Sequence, residues 1–378
     1  MKKILFLLYF LFLLTFTFLS YLFIDPNLIY LKPLYSGLAF TQKSIITLLY
    51  ISSILVFFGF YSIFIWLIRK KEVYLNEFKI IIGLTIAVLF FSYPAMLSYD
   101  IFNYIATAKV IFFYHENPYI LMPIQFAGDP LLLFVHAANK TALYGPSWII
   151  LSGIPYLLGF GNFLVTLFAF KFLNVIFYLL SIAVIHRLTK DVYRLALFAL
   201  NPLVIIETLV SSHNDIVMMF LAILALHFLT KKKLIIPLVL ILLSILIKYA
   251  TIFLLPVFLY VAINNYKSRR INWDKVFLAS SISMLAVFLL SPLREEIYPW
   301  YSIWFLVFLP FINGRKITLF YLSLTFGLML RYIPFMYLGT YFGPAPLLKI
   351  ILTFLPALML SVVMMFRYLG KRVIFNRR

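Results

Sequence analysis

The feature that most restricts this chain is the recurrence, from one end to the other, of apolar stretches about 18 to 25 residues long. At ~1.5 Å per residue each can cross ~30 Å of hydrocarbon as a helix. Lipid cannot satisfy open backbone groups, and the stretches are too long and too uniformly apolar for barrel strands, so they must be helical. With 65% hydrophobic residues, 12% charged residues and a mean hydropathy of +1.05, the 378-residue chain has too little polar surface to cover a water-soluble globule. The expected fold class is all-α, a single polytopic membrane domain over 1–378.

The apolar segments run Ile4–Ile24, Ser44–Ile68, Ile80–Leu97, Phe163–Ile185, Leu195–Val210, Ile216–Leu229, Leu234–Ile247, Thr251–Ile263, Val276–Leu290, Tyr301–Ile312, Ile317–Ile333 and Leu347–Phe366. That is about twelve spans, within a range of about 11 to 13. The first, after Met1-Lys2-Lys3, is long for a signal sequence and lacks a small-residue cleavage site, so a retained helix is expected. The net charge of +20 does not point to nucleic acid, because Lys and Arg fall in short clusters between apolar segments rather than on one face. They read as topology signals, at Arg69-Lys70-Lys71, Lys231-Lys232-Lys233, Arg315-Lys316 and the tail from Arg367 among others. Placing them all inside puts both termini in the cytoplasm of a plasma-membrane protein. The stretch 146–160, interrupted by Gly153, Pro155 and Gly159, is then re-entrant or interfacial. The outer side receives 25–43, a long region 98–160 expected to contain interfacial helices, 211–215, Lys248, 291–300 and 334–346.

Only twelve carboxylates occur, so each one near hydrocarbon needs a reason. Asp100 follows the third segment, and no Lys or Arg is near it in sequence before Lys109. It could accept a proton from a hydroxyl nucleophile, or cap a helix beginning near Ile101. His213-Asn214-Asp215 places three polar side chains at a helix start, for ligand binding or, at Asp215, for capping. One His and one Asp are too few local ligands for a metal site. Lys248 is a lone cation suited to a phosphate, or to snorkelling. Arg294 is a second outer cation beside Glu295 and Glu296, which could neutralise it. Tyr104, Asn117, Tyr144, Trp300 and Tyr301 belong to turn or aromatic clusters that could stack on a sugar or anchor at the interface.

Taken in order, Ser98–Tyr104 (SYDIFNY), Asn117–Tyr119, Tyr144–Pro146, Asn201-Pro202-Leu203, His213–Asp215, Lys248 and Tyr298–Trp304 (YPWYSIW) resemble the GT-C superfamily of polytopic glycosyltransferases. These use polyprenyl-phosphate sugars. The likeness within it is to the α-1,6-mannosyltransferases of cell-envelope lipomannan synthesis. The resemblance implies Asp100 as catalytic base, with Lys248, and Arg294 or His213, at the phosphate of the lipid-linked donor. It implies Tyr104, Asn117, Tyr144, Asn214, Asp215, Trp300 and Tyr301 as substrate-binding residues. The partners expected from it are a polyprenyl-phosphate sugar, a glycan or glycolipid acceptor and membrane lipids, with no nucleic acid, no cofactor and no metal expected. The chain departs from the pattern at Thr107 and Ala108, where relatives often carry Gly, and at Tyr298, where they carry His. A lipid or solute transporter or flippase is the alternative reading of helices with sparse intramembrane charge, and an assembly subunit without catalysis is a third.

Overall fold

The computed structural model describes residues 2–23, 41–133 and 135–375, with side chains described as far as residue 367. The outer segment expected over 25–43 lies outside the described residues but for its last three positions, and so does the extreme end of the basic tail. Among the described residues there are helices and turns and no strand.

The helices are α1 Lys2–Tyr21, α2 Lys43–Arg69, α3 Leu75–Leu89, α4 Asp100–Phe112, α5 Pro146–Leu157, α6 Phe163–Thr189, α7 Val192–Ala199, α8 Pro202–Ile205, α9 Asp215–Thr230, α10 Ile235–Ile245, α11 Leu255–Tyr266, α12 Trp273–Leu290, α13 Ile303–Leu306, α14 Arg315–Leu330, α15 Ile333–Leu338 and α16 Ala345–Phe375. Among the described residues seven helical stretches are long and apolar enough to cross a membrane, or eight if the bent pair α7 and α8 counts as one span. The expected figure of about twelve counted apolar segments, and several of these fold as helices too short to cross alone. They are α3, α9 and α10, of 15, 16 and 11 residues, and the stretch Pro299–Phe311.

Helix ends follow local chemistry. Asn162, Asp191, Asn201 and Asn272 cap α6, α7, α8 and α12, each accepting backbone N–H groups of the first turn. Pro202 cannot continue α7, and the chain bends by 57° there. The carbonyl of Ala199 accepts the Tyr178 hydroxyl at 2.5 Å. Buried tyrosines tie other helices in the same way, Tyr50 to the Met329 carbonyl at 2.7 Å and Tyr61 to the Leu197 carbonyl at 3.1 Å. Such bonds supply specificity between helices that have no hydrophobic driving force in lipid. Lys171, fully buried in α6, donates to the Leu89 carbonyl at 3.1 Å, the Ser92 carbonyl at 2.6 Å and the Ser92 hydroxyl at 3.0 Å. It satisfies the otherwise open C-terminal end of α3. Gly327 lets α14 approach α16, since a Cβ there would collide with the Thr353 carbonyl oxygen.

The apolar spacing Ile101, Ile105, Ala108, Phe112 reads as one face of a surface helix. In the fold, α4 is buried on nearly every side, packed on α5 and α6. Its polar residues Asn103 and Thr107 are buried as well, which a one-faced pattern does not anticipate.

Candidate functional site

A cavity of about 960 Å³ is lined by residues distant in sequence, from α4, the 136–145 turn, the 248–253 segment, the 290–304 region and the 331–349 region. Asp100, Lys248, Arg294, Tyr144, Trp300 and Tyr301 all line it. The isolated polar positions of the sequence therefore gather around one space.

Asp100 opens α4, where a carboxylate gains from the helix N-terminus, and its own N–H donates to the Ser98 hydroxyl at 3.3 Å. Its Oδ2 lies 3.5 Å from Nδ1 of His213, whose Nε2 lies 3.3 Å from Oε2 of Glu207. The Tyr332 hydroxyl donates to Oε1 of the same Glu207 at 2.8 Å. His213 and Glu207 are fully buried, whereas about a quarter of the Asp100 side chain (24%) is exposed. This makes a chain of carboxylate, imidazole and carboxylate that opens to the cavity only at Asp100. Burial favours the protonated form of Asp100, but His213 beside it and the Lys248 charge outweigh burial and hold the carboxyl below its usual range. Burial likewise opposes charge on His213, yet Asp100 and Glu207 together raise its pKa.

Local backbone explains the placement of His213. After α8 the chain makes a π-helical turn over Ile206–Val210, which carries Glu207 inward. Ser212 then takes a left-handed conformation, φ 59°, with its carbonyl accepting from Asn174 at 2.9 Å. The His213 N–H donates to the Glu207 carbonyl at 2.9 Å, closing the turn. The His213 ring lies flat against Trp300, centroids 3.9 Å apart, and Trp300 lies against Tyr298 at 4.6 Å. Here Tyr298 fills with a stacking ring the position where the resemblance leads one to expect His. Burial first, and then the charges of Glu295, Glu296 and Asp100, push the Tyr298 phenol up to about 12, so it stays a neutral donor.

Asp215 is not the cap of α9, because Asn214 holds that position. Its two oxygens accept from Lys248 Nζ at 2.7 Å and Trp304 Nε1 at 2.6 Å. Lys248 also sits over the rings of Tyr144 and Tyr301, 5.9 and 5.4 Å from their centroids. It is thus a fixed, paired cation rather than a snorkelling one. Gly145 makes this possible: its N–H donates to the Ile247 carbonyl at 2.9 Å, and a Cβ would overlap the Leu246 carbonyl group. Behind this layer, Tyr104 donates to Asn214 Oδ1 at 3.3 Å and packs edge-on against Tyr144 and Trp148.

Not every sequence candidate reaches the cavity. His213, Asn214, Asp215 and Tyr104 lie buried behind its wall. Asn117 is exposed and accepts the Tyr119 N–H in a local turn, away from the cavity lining. Arg294 lines the cavity but is exposed, and its neighbour Glu296 turns instead to Arg331 and Lys349. Glu207, Tyr332, Arg331 and Lys349 do not stand out in the sequence as site residues. Glu207 carried a signal, as a carboxylate in an apolar hairpin. Tyr332 and the two cations sit among ordinary aromatic and basic positions near helix ends. Among the described residues no group of three or more His, Cys, Asp and Glu side chains is arranged to hold a metal ion.

No curated protein and no solved structure matches the chain. Residues 28–264, more than half of it, match the family described as alpha-(1->6)-mannopyranosyltransferase, N-terminal domain. That stretch holds Asp100, Glu207, His213, Asp215 and Lys248. The protein is a GT-C-like, integral membrane mannosyltransferase that belongs to the alpha-(1->6)-mannopyranosyltransferase family.

Proposed function

We propose that the enzyme transfers mannose from a polyprenyl-phosphate-linked donor to a glycan or glycolipid acceptor at the outer face of the plasma membrane, by inverting displacement. Asp100 is the general base. It removes the proton from an acceptor hydroxyl, whose oxygen attacks the anomeric carbon while the bond to the phosphate oxygen breaks and polyprenyl phosphate leaves. The observation that carries this reading is a carboxylate at the cavity wall with a buried imidazole 3.5 Å behind it. A phosphate leaves without protonation near neutral pH, so one base and local positive charge meet the needs of the step.

Lys248 lines the cavity close enough for its charge to act on Asp100, and supplies electrostatic stabilisation as negative charge grows on the leaving group. Arg294 stands at the exposed part of the wall and meets the donor as it enters. The burial of His213 supports a positioning role behind Asp100 rather than a direct phosphate contact. Tyr144, Trp300 and Tyr301 offer rings for the sugars, with Tyr104, Asn214 and Asp215 holding those rings and Lys248 in place. Both termini lie in the cytoplasm, and 98–160 forms the outer loop, with α5 re-entrant or interfacial. Family membership favours transfer chemistry over the transporter reading.

The test is incorporation of labelled mannose from polyprenyl-phosphate mannose by the purified protein, beside Asp100→Asn. Wild-type turnover with a loss of about 10³-fold or more in the variant is expected. Full activity of Asp100→Asn removes Asp100 as the base.

A further inference from the structure

We infer that Arg331 and Lys349 form an anion-binding subsite of the cavity, built for the phosphate of a lipid-linked sugar. The assignment of the anion to the donor rests on the function proposed above.

The charges in this corner do not balance. Arg331 Nη2 lies 2.6 Å and Lys349 Nζ 2.9 Å from one and the same oxygen, Oε1 of Glu296. Both cations are nearly buried, with side-chain exposures of 6% and 11%, while Glu296 keeps 35%. Two guarded positive charges therefore share a single, more exposed negative one. A surplus cation held away from water is costly unless an anion completes it. Lys248 differs, because Asp215 neutralises it one for one and Trp304 takes the remaining carboxylate oxygen.

The pair is also fixed in direction. Arg331 Nη1 donates to the Thr353 hydroxyl at 3.3 Å, and Lys349 Nζ stands 4.7 Å from the Tyr341 ring centroid. A planar guanidinium beside an ammonium suits the several oxygens of a phosphate better than a lone carboxylate does. Arg331, Lys349 and Glu296 all line the cavity that Asp100 lines. Among the described residues, with Lys248 set aside as paired to Asp215, five cationic side chains and three carboxylates line it, so the whole space favours an anion. Arg331 and Lys349 lie outside the matched stretch 28–264, so nothing in the family match assigns them.

Glu296 then acts as a placeholder. It neutralises one cation while no ligand is present and competes with the phosphate for both. Removing the carboxylate and removing a cation should consequently have opposite effects on binding, which a merely structural pair would not produce.

The experiment measures equilibrium binding to the full chain in nanodiscs, by quenching of tryptophan fluorescence, since Trp300 lines the cavity. Farnesyl phosphate is the main probe, with farnesol, inorganic phosphate and phosphatidylglycerol as separate arms. Farnesyl phosphate should bind at least about tenfold more tightly than farnesol. Arg331→Gln and Lys349→Gln should each weaken farnesyl phosphate about tenfold, the loss of one charge-assisted contact, and leave farnesol unchanged. Glu296→Gln should tighten it, and Lys349→Arg, which keeps the charge and checks that the site is folded, should stay near wild type. Unchanged farnesyl phosphate binding in both Gln variants, or weaker binding in Glu296→Gln, overturns the subsite. Equal binding of phosphatidylglycerol overturns its assignment to the donor. The two readings separate cleanly. If wild type turns over polyprenyl-phosphate mannose and Lys349→Gln leaves KM for it unchanged, the subsite fails and the function stands. If no lipid-phosphate donor is used but inorganic phosphate binding still depends on Arg331 and Lys349, the donor fails and the subsite stands.

Discussion

Gly145→Ala tests the positioning of Lys248 without touching any charged group. In the structure the 145–147 turn lies directly on the Leu246–Lys248 chain, with Gly145 N–H bonded to the Ile247 carbonyl at 2.9 Å and Ser147 N–H to the Leu246 carbonyl at 3.0 Å. A Cβ built on Gly145 stands 2.7 Å from the Leu246 carbonyl carbon and closer still to its oxygen. Ordinary contact needs about 3.4 Å or more, and the obstacle is backbone, which no rotamer change can clear. The two segments must separate by about 0.7 Å at least, and that shift passes to Lys248 two residues on and to Tyr144 one residue back. With an effective dielectric of about 20, opening a charge contact from 2.7 Å by about 1 Å forfeits roughly 1.5 kcal/mol. That is about a tenfold loss, and misplacement of reacting groups can extend it towards about 100-fold. Overpacking adds roughly 1–3 kcal/mol of destabilisation. The assay is the initial rate of mannose transfer with a thermal denaturation profile, and Gly83→Ala, where nothing lies within 4 Å of the added Cβ, is the control. Gly145→Ala with a rate within threefold of wild type would show that this contact does not set the position of Lys248.

Glu207→Gln should move the acid limb of the kcat/KM profile to higher pH. His213 then keeps one carboxylate partner instead of two, burial favours its neutral form, and Asp100, whose lowered pKa depends first on His213 among its stabilising neighbours, becomes harder to ionise. Because the base must be unprotonated, activity disappears at a higher pH than in wild type. A profile with an unmoved acid limb would disconnect Glu207 from Asp100. Lys171→Met should lower thermal stability in detergent by roughly 3 kcal/mol, since it frees the α3 end carbonyl of Leu89 and the Ser92 groups, while KM for the donor stays unchanged. An unaltered melting profile counts against that bridging role. Gly327→Ala should be destabilising through the Thr353 carbonyl in the α14–α16 contact, measured by the same melt, and a neutral result would mean the two helices can part freely.

Hydropathy made the solvent and the helical class legible, because bilayer thickness and backbone satisfaction admit few alternatives. It does not fix the number of crossings where an apolar run folds as a short helix, as α9 and α10 do, since composition reports burial and says nothing of whether the burial is in lipid or in protein. Asp100, Lys248, Trp300 and Tyr301 were readable as candidates because they are polar or aromatic at helix ends, where such residues are costly or useful. The depth of each was not readable. His213 and Asp215 are adjacent in sequence to exposed-looking turn residues, yet the π turn at Ile206–Val210 and the left-handed Ser212 bury both. Arg331 and Lys349 were not legible because they sit near the ends of apolar segments that already border basic clusters. Their shared partner, Glu296, is 35 residues from the first and 53 from the second.

The division of the cavity between the two parts of the chain has its own chemical logic. Residues 28–264 contribute the proposed base Asp100, the His213 and Glu207 behind it, and the paired Lys248. Later residues contribute Trp300 stacked on His213, Trp304 bonded to Asp215, Tyr332 bonded to Glu207, and the Glu296, Arg331 and Lys349 cluster. Each support of the first part is thus locked by a side chain of the second, and a carboxylate or imidazole so held loses little order when substrate arrives. Proton abstraction needs one group of fixed direction, which buried hydrogen-bond partners can supply from any segment. Binding a long lipid phosphate needs apolar surface with a cation at its edge, and α14 and α16, apolar helices that bring Arg331 and Lys349 to the cavity, combine both. If the proposed roles hold, the reacting groups belong to the matched stretch, and a lipid-phosphate donor is read by the residues C-terminal to it.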